Sequence, residues 1–405
     1  MDQKRIKEIQ ERTKRIPVFG GRSNKWEKIC GEQSRTISFD DLVFLPAQLN
    51  KKPVDYYRES ISAKTIVGKQ SKKPIEIETP IIIGAMSFGA LSREAKIALA
   101  KASTIAGTME NTGEGGVLPE EREFSNRLII QYSTGRFGIT EEILKKADAI
   151  EIKIGQGAKG GQGGLLLGEK VTEEIAKIRN VTFGKDIHSP AYHLDIKDVN
   201  DLRKKVEWLR ELTGGAPIII KLAAGDVEND VKLAVKANPD VIAIDGQEGG
   251  TAAAPEVMLD EVGVPAVAAL VKSRETLDKI GAKQELWIGG GFNKGGDFAK
   301  ALALGADAIF CATALLVAMG CVSCRLCYLG KCPKGIATHD VELIKKLDIE
   351  TASQSVANYI KNCTQEVKML AGACGENDIH KLNEGHLRAL SLDAEKITKV
   401  KLCSS

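Results

Sequence analysis

The sequence contains no dense block of basic residues: its 57 Lys and Arg and 54 Asp and Glu are spread along the chain and leave a formal charge of +3. A nucleic-acid surface needs clustered positive charge, so no nucleic-acid partner is expected. Nor is there an apolar run of the roughly 20 residues that a membrane span requires. The longest weakly polar stretch, Ala308 to Val322, is shorter, carries Cys311, Thr313 and Cys321, and reads as buried core. At the N-terminus, Met1-Asp2-Gln3-Lys4-Arg5-Ile6 is charged, with no apolar stretch leading to a small-residue cleavage site. These absences lead us to expect a cytoplasmic protein away from membranes. In that reducing compartment nine cysteines suit metal ligation or free buried thiols better than a disulfide framework.

What is present is a large core in the making, since 405 residues with 43% hydrophobic and 27% charged content can bury one. Residues 1–75 are polar and lysine-rich, with scattered aromatics at Trp26, Phe39, Phe44, Tyr56 and Tyr57 suited to packing against something larger; they form an expected lead-in. From residue 79, short Ile-, Val- and Ala-rich runs alternate with helical patterns. Strands are expected at Ile81 to Ala85, Gly107 to Glu110, Leu128 to Tyr132, Ala149 to Ile154, Pro217 to Leu222, Val241 to Asp245, Leu286 to Gly290 and Ala308 to Cys311. Runs this continuous suit parallel strands buried on both faces, and eight of them predict an α/β fold, a (β/α)8 TIM barrel over residues 76–320. An open doubly wound sheet is the competitor. The barrel is favoured because nearly every run ends in a glycine-rich or polar loop, and barrels of this kind put their sites at the carboxyl ends of the strands. An iron-sulfur loop at 321–338 and a helical appendage at 339–405 complete the expected organisation.

Several of these loops have chemical character. Gly289-Gly290-Gly291 ends the seventh run and Cys311-Ala312-Thr313 the eighth; tight turns would explain the glycines, but this position in a barrel favours a phosphate between them. Lys221 ends an apolar run; a solvated rim lysine is the plain reading, whereas across a barrel mouth it would offset negative charge on a reduced flavin. The loop Lys153-Ile154-Gly155-Gln156-Gly157-Ala158-Lys159, running on to Gly164, mixes lysine and glutamine into glycine. A flexible linker is one explanation; a dicarboxylate site is the other, with Arg179 after a helix adding a carboxylate contact. His193 reads more readily as a satisfied loop residue than as a catalyst.

The strongest signal is Cys321-x2-Cys324-x2-Cys327-x4-Cys332, with Pro333 directly after. Thiols gathered on one short loop suit an iron-sulfur cluster, whereas zinc usually takes two separated Cys pairs or Cys with His. Cys30, Cys311, Cys363, Cys374 and Cys403 read as isolated thiols.

The order of motifs, Gly84-Ala85-Met86-Ser87-Phe88-Gly89-Ala90-Leu91-Ser92, Gly113-Glu114-Gly115-Gly116, Lys153 to Gly164, Gly249-Gly250-Thr251 and Cys321 to Thr338, resembles the FMN-binding synthase domain of glutamate synthase. The resemblance runs from about residue 36 to the C-terminus. It implies FMN over Ala85, Met86 and Ser87, in contact with Lys221, with its phosphate at Gly290, Gly291 and Thr313; Thr112, Gly249, Gly250, Thr251, Gly289 and Ala312 are further cofactor-binding candidates. It implies a [3Fe-4S] cluster on Cys321, Cys327 and Cys332, leaving Cys324 as an extra thiol that would permit a [4Fe-4S] alternative. Substrate contacts by resemblance are Met86, Glu114, Lys153, Gln156, Lys159 and Arg179, with Glu114, Lys159 and Gln156 as the catalytic candidates. The implied chemistry is condensation of 2-oxoglutarate with ammonia to an imine that takes a hydride from reduced FMN, giving L-glutamate, with electrons arriving through the cluster.

Two departures shape the expected partners. The chain lacks the glutaminase domain of the large enzymes, so ammonia is expected from solution or from a partner subunit, with a separate glutaminase, an electron-donor subunit using ferredoxin or NAD(P)H, or both, in an oligomeric assembly. Where the large enzymes read Gly-Glu-Gly-Gly-Gln, this sequence reads Gly161-Gln162-Gly163-Gly164-Leu165. That change keeps open the FMN subunit of N-methylglutamate synthase, or an electron-transfer module without synthase activity.

Overall fold

A computed structural model describes residues 37–251 and 254–404; Trp26, Cys30 and the charged N-terminal segment lie outside them. Eight strands, β1 (Ile81–Ile83), β2 (Glu110–Asn111), β3 (Leu128–Tyr132), β4 (Ala149–Lys153), β5 (Ile218–Ala223), β6 (Val241–Asp245), β7 (Glu285–Gly289) and β8 (Ala308–Cys311), form a closed barrel in chain order. Every neighbouring pair is parallel, and β8 closes on β1 with Ile309 opposite Ile81. Closure excludes the open sheet. The isoleucine runs show why both faces are apolar: Ile82 and Ile219 point into the barrel, whereas Ile81, Ile83, Ile218 and Ile220 point out at the helices.

The second strand is shorter than its sequence suggests. Gly107, read above as its start, instead has φ +70 and caps the helix Arg93–Ala106, its N–H donating to Ser103 O and Thr104 O. A left-handed glycine is the usual way to satisfy the last carbonyls of a helix. At the opposite end of the strands from their loops, a hairpin of Thr65–Val67 and Ile75–Ile77 plugs the barrel with Val67 and Ile77.

Between β4 and β5 the chain makes an excursion with its own small core. Leu165–Leu166 pairs with Ile187–His188, and the helix Glu173–Arg179 packs Ile175 against Phe88, Leu118 and Leu166. The stretch expected either as a linker or as a site therefore begins an ordered lobe. The long helix Ile349–Ala373, capped by Asp348 accepting from Thr351 N at 2.8 Å, lays Val356, Ile360 and Val367 into the core that also covers the barrel's outer face. Among the lead-in aromatics, Phe39 packs on Phe292 at 4.9 Å between ring centres, while Tyr57 is 88% exposed and packs little. Leu42–Phe44 pairs antiparallel with Leu387–Ala389. Among the described residues no helix is long and apolar enough to cross a membrane.

One fully buried charge cluster ties β2 to the helices. Lys96 Nζ lies 2.9 Å from both Glu110 and Glu121. Burial pushes Glu110 up to about 8, with Lys96 opposing and Glu121 adding to the rise.

Candidate active site at the barrel mouth

The carboxyl ends of the strands carry polar side chains toward the mouth. Glu151 on β4 points inward and is fully buried; it accepts from Asn111 Nδ2 at 3.0 Å and Gln131 Nε2 at 2.6 Å, and pairs with Lys221 Nζ at 2.8 Å. Lys221 is thus not a solvated rim lysine but a buried cation held by a carboxylate from the adjacent strand. In the same layer Gln131 Oε1, and two residues further on, just past β3, Ser133 Oγ, are buried without a hydrogen-bond partner. Asp245 on β6, level with Gly289, accepts from Gly157 N at 3.0 Å, and burial raises its carboxyl while Lys221 opposes the rise.

At the rim, Lys153 donates to Glu114 Oε2 at 3.0 Å. Burial alone would raise the Glu114 carboxyl, but Lys153, Lys159 and Arg179 outweigh it and hold it at about 2. Lys159 ends the 3-10 turn Gly157–Lys159 and is only 4% exposed. Burial brings its ammonium down to about 8; Lys153 adds to the fall and Glu114 resists it. Gln156 precedes this turn and accepts Lys159 N through its backbone carbonyl at 3.0 Å. The predicted Glu114, Lys153 and Lys159 are therefore brought together electrostatically.

Two other candidates are hydrogen-bonded to the frame around the mouth. Arg179 is the last residue of its helix, not a residue beyond it, and its Nε donates to Phe88 O at 3.0 Å and its Nη2 to Ser87 Oγ at 3.2 Å. It anchors the Met86-Ser87-Phe88 loop and reaches Glu114 only through its charge. His193 is lowered to about 4 by burial and by Arg136. A neutral ring fits its bonds: Nε2–H donates to Lys153 O at 2.8 Å, and Nδ1 accepts from Arg136 at 2.7 Å. The satisfied-residue reading describes it.

The loops assigned to a cofactor meet along one side. Cys311 lies level with Ile83, so Ala312-Thr313 adjoins Gly84-Ala85-Met86, and a Cβ on Gly84 would stand 3.5 Å from that of Ala312. Gly113, at φ +69, lies so close to the Ser87 backbone that a Cβ would sit 2.6 Å from its nitrogen; only glycine fits both the angle and the gap. The Thr112 hydroxyl accepts Gln131 N from the adjacent strand at 3.1 Å. Gly290, at φ +115, passes over Gly246, while Gly249 crosses Asp245 and leads to Gly250 and Thr251.

Beyond β8 and the helix Thr313–Ala318, the cysteine loop turns through Ser323 and Arg325 in left-handed backbone, φ +52 and +59. Non-glycine residues held in that region commonly mark functional loops. Cys332 is buried and Cys321, Cys324 and Cys327 are half-buried. Burial raises Cys327 to about 11, and the other three sulfurs add to the rise, so all four thiols share one electrostatic neighbourhood. Among the described residues no three His, Cys, Asp or Glu side chains converge on one point as a single metal ion requires.

Glu151, Asn111, Gln131, Asp245 and Lys170 were not singled out from sequence. Glu151 and its partners sit inside strands, where only the register reveals that they face inward. Lys170, in Gly168-Glu169-Lys170, looks like a solvated turn residue yet is buried beside Cys327.

A closed parallel barrel with a charged mouth is an enzyme architecture, and the fold has solved counterparts. A mutant mandelate oxidase carrying a monooxide FMN adduct superposes with TM-score 0.55 over 90% of this chain and 96% of that one at 14% identity. A doubly substituted flavocytochrome b2 with sulfite bound does so with TM-score 0.56 over 86% and 76% at 16% identity. At such identities the likeness is one of fold. A family model described as the conserved region in glutamate synthase matches residues 22–377. A glutamate synthase large subunit-like protein of Rhizobium meliloti is 40% identical over 93% of this chain and 90% of its own length. An archaeal glutamate synthase [NADPH] of Methanocaldococcus jannaschii is 40% identical over 89% and 77%. The chain belongs to the glutamate synthase family and is an oxidoreductase.

Proposed function

We propose that this protein reductively aminates 2-oxoglutarate to L-glutamate, using FMN in the barrel mouth and an iron-sulfur cluster on Cys321, Cys327 and Cys332. The observation that carries the reading is the charge balance at the rim, where Lys153, Lys159 and Arg179 surround the single carboxylate of Glu114. A surplus of two positive charges complements a dicarboxylate.

The residues fit a flavin. Lys221 supplies a buried cation, and the unpartnered Gln131 Oε1 and Ser133 Oγ are polar atoms awaiting a partner. Ala85, Met86 and Ser87 would flank the ring, with Gly290, Gly291 and Thr313 at the phosphate. When bound, FMN supplies the hydride and the cluster the single electrons that restore it.

The chain's own side chains bind and protonate. Lys153 holds a substrate carboxylate and is kept in place by Glu114. Lys159, charged below about pH 8, donates a hydrogen bond to the ketone oxygen of 2-oxoglutarate and passes a proton to it as water leaves on imine formation. Glu114, kept ionised by its neighbours, accepts a hydrogen bond from the incoming amine and orients it. Ammonia comes from solution or from a partner subunit, and electrons come from a donor using ferredoxin or NAD(P)H. Arg179 and His193 position the loops on which these groups sit.

The test is anaerobic mixing of reduced, cofactor-loaded protein with 2-oxoglutarate and ammonium while flavin absorbance is followed. Reoxidation with formation of L-glutamate is expected. No reoxidation with ammonium, or faster reoxidation with methylamine, would reject ammonia as the amine.

A further inference from the structure

Lys170 ends the short turn Gly168–Lys170 and is 7% exposed. Its ammonium donates to Cys327 O at 3.0 Å. Its stem packs beneath Gly330, whose backbone (φ +68) approaches so closely that a Cβ there would stand 3.2 Å from Lys170 Cγ. Among the described residues no carboxylate is paired with this ammonium; its titratable neighbours are the Cys327 and Cys332 thiols and the like-charged Arg179. A buried charge without an opposite charge is costly and rare. Its position therefore calls for an anion on the side of the cysteine loop.

The neighbouring groups run toward the flavin loop. Nine residues further on, Arg179 donates to Phe88 O and Ser87 Oγ. His339, which follows the cysteine loop, stands edge-on to Phe88 and bonds Gly89 O through Nε2 at 2.9 Å. One short segment, Gly168 to Arg179, thus touches the cysteine loop with one cation and the Ser87–Phe88 loop with another.

We propose that Lys170 is the fixed counter-ion of the iron-sulfur cluster, a positioning residue whose positive charge favours the reduced cluster and raises its reduction potential. This rests on the reading that the cysteine loop holds a cluster. Reduction adds one electron and one negative charge to the cluster and makes or breaks no bond; the electron enters from an external one-electron carrier and leaves toward the flavin. Thiolate ligation makes the cluster anionic, so a buried ammonium against Cys327 supplies the missing opposite charge, and hydrogen bonding and charge around the sulfurs are known levers on such potentials.

The experiment is an EPR-monitored redox titration of the anaerobically loaded full-length protein, as wild type, Lys170→Gln and Lys170→Arg. Lys170→Gln is expected to lower the equilibrium constant for cluster reduction about tenfold, equivalent to ~59 mV for one electron. Lys170→Arg should keep the wild-type potential. An unchanged potential in loaded Lys170→Gln overturns the proposal, as do equal shifts in both variants, which would mark packing and not charge. If Lys170→Gln cannot hold iron, a loaded Lys170→Arg with wild-type potential supports the charge role, and failure of both to load overturns it. Wild-type protein that binds no iron would instead defeat the cluster reading itself.

Discussion

At the residue scale, the rim works because unlike charges are packed closely out of water. Lys159 is the sensitive member. It carries its charge below about pH 8 and loses it above, so affinity for 2-oxoglutarate should hold steady up to that pH and then fall. Steady-state kinetics from about pH 6 to 9.5 check this: kcat/KM for 2-oxoglutarate should bend near 8, and Lys159→Met should remove the bend and cut kcat/KM by roughly 10²-fold or more, the scale of a lost proton donor. Glu151 offers a second test. Its carboxylate offsets Lys221 at 2.8 Å beneath the proposed flavin. Glu151→Gln leaves the cation unbalanced, so the flavin midpoint potential should rise; a potential that stays put would mean that Lys221 does not sense the ring. On the cysteine loop, Cys321→Ser should abolish iron binding, whereas Cys324→Ser should leave a three-iron EPR signal intact.

At the scale of elements, β2 is the strand most dependent on charge. Its Glu110 shares Lys96 with Glu121, and all three side chains are fully buried. The folded carboxyl of Glu110 titrates near 8 against an ordinary 4.5. In that window the folded chain keeps a proton that the unfolded chain has released, so this contribution to stability is complete below about pH 4.5 and lost as pH rises toward 8. Glu110→Gln should flatten the dependence of Tm on pH across that window. Lys96→Met, which leaves two carboxylates buried together, should cost about 3–5 kcal/mol by denaturant unfolding. The eight strands were readable because their runs are apolar on both faces, as Ile81–Ile83 and Ile218–Ile220 illustrate. The Glu110 and Glu151 networks were not, because polar residues within a strand show no periodicity that tells inward from outward before the register is known.

For the whole molecule, the mouth is assembled from loops far apart in the chain, and sequence reading found the loops better than the duties of their residues. Lys153 was legible because a charged residue at the end of an apolar run stands out, whereas Glu114, 39 positions away in a glycine loop, was legible only through the family resemblance. Arg179 looked equally available, yet its target is the Phe88 carbonyl 91 positions away, and no local pattern announces such a bond. Lys170 was hidden for the same reason, its partner Cys327 being 157 positions distant.

The antiparallel pairing of Leu42–Phe44 with Leu387–Ala389 has a consequence for handling the protein. Leu42 and Leu387 are both fully buried, so each strand hides the other's backbone edge and apolar side chain. Truncating the chain after His386 would leave Leu42–Phe44 as an exposed edge with unpaired amides, a template for joining a second copy. Such a truncated protein should form concentration-dependent aggregates visible by light scattering while the full chain stays dispersed, and adding the missing strand as a peptide should suppress them.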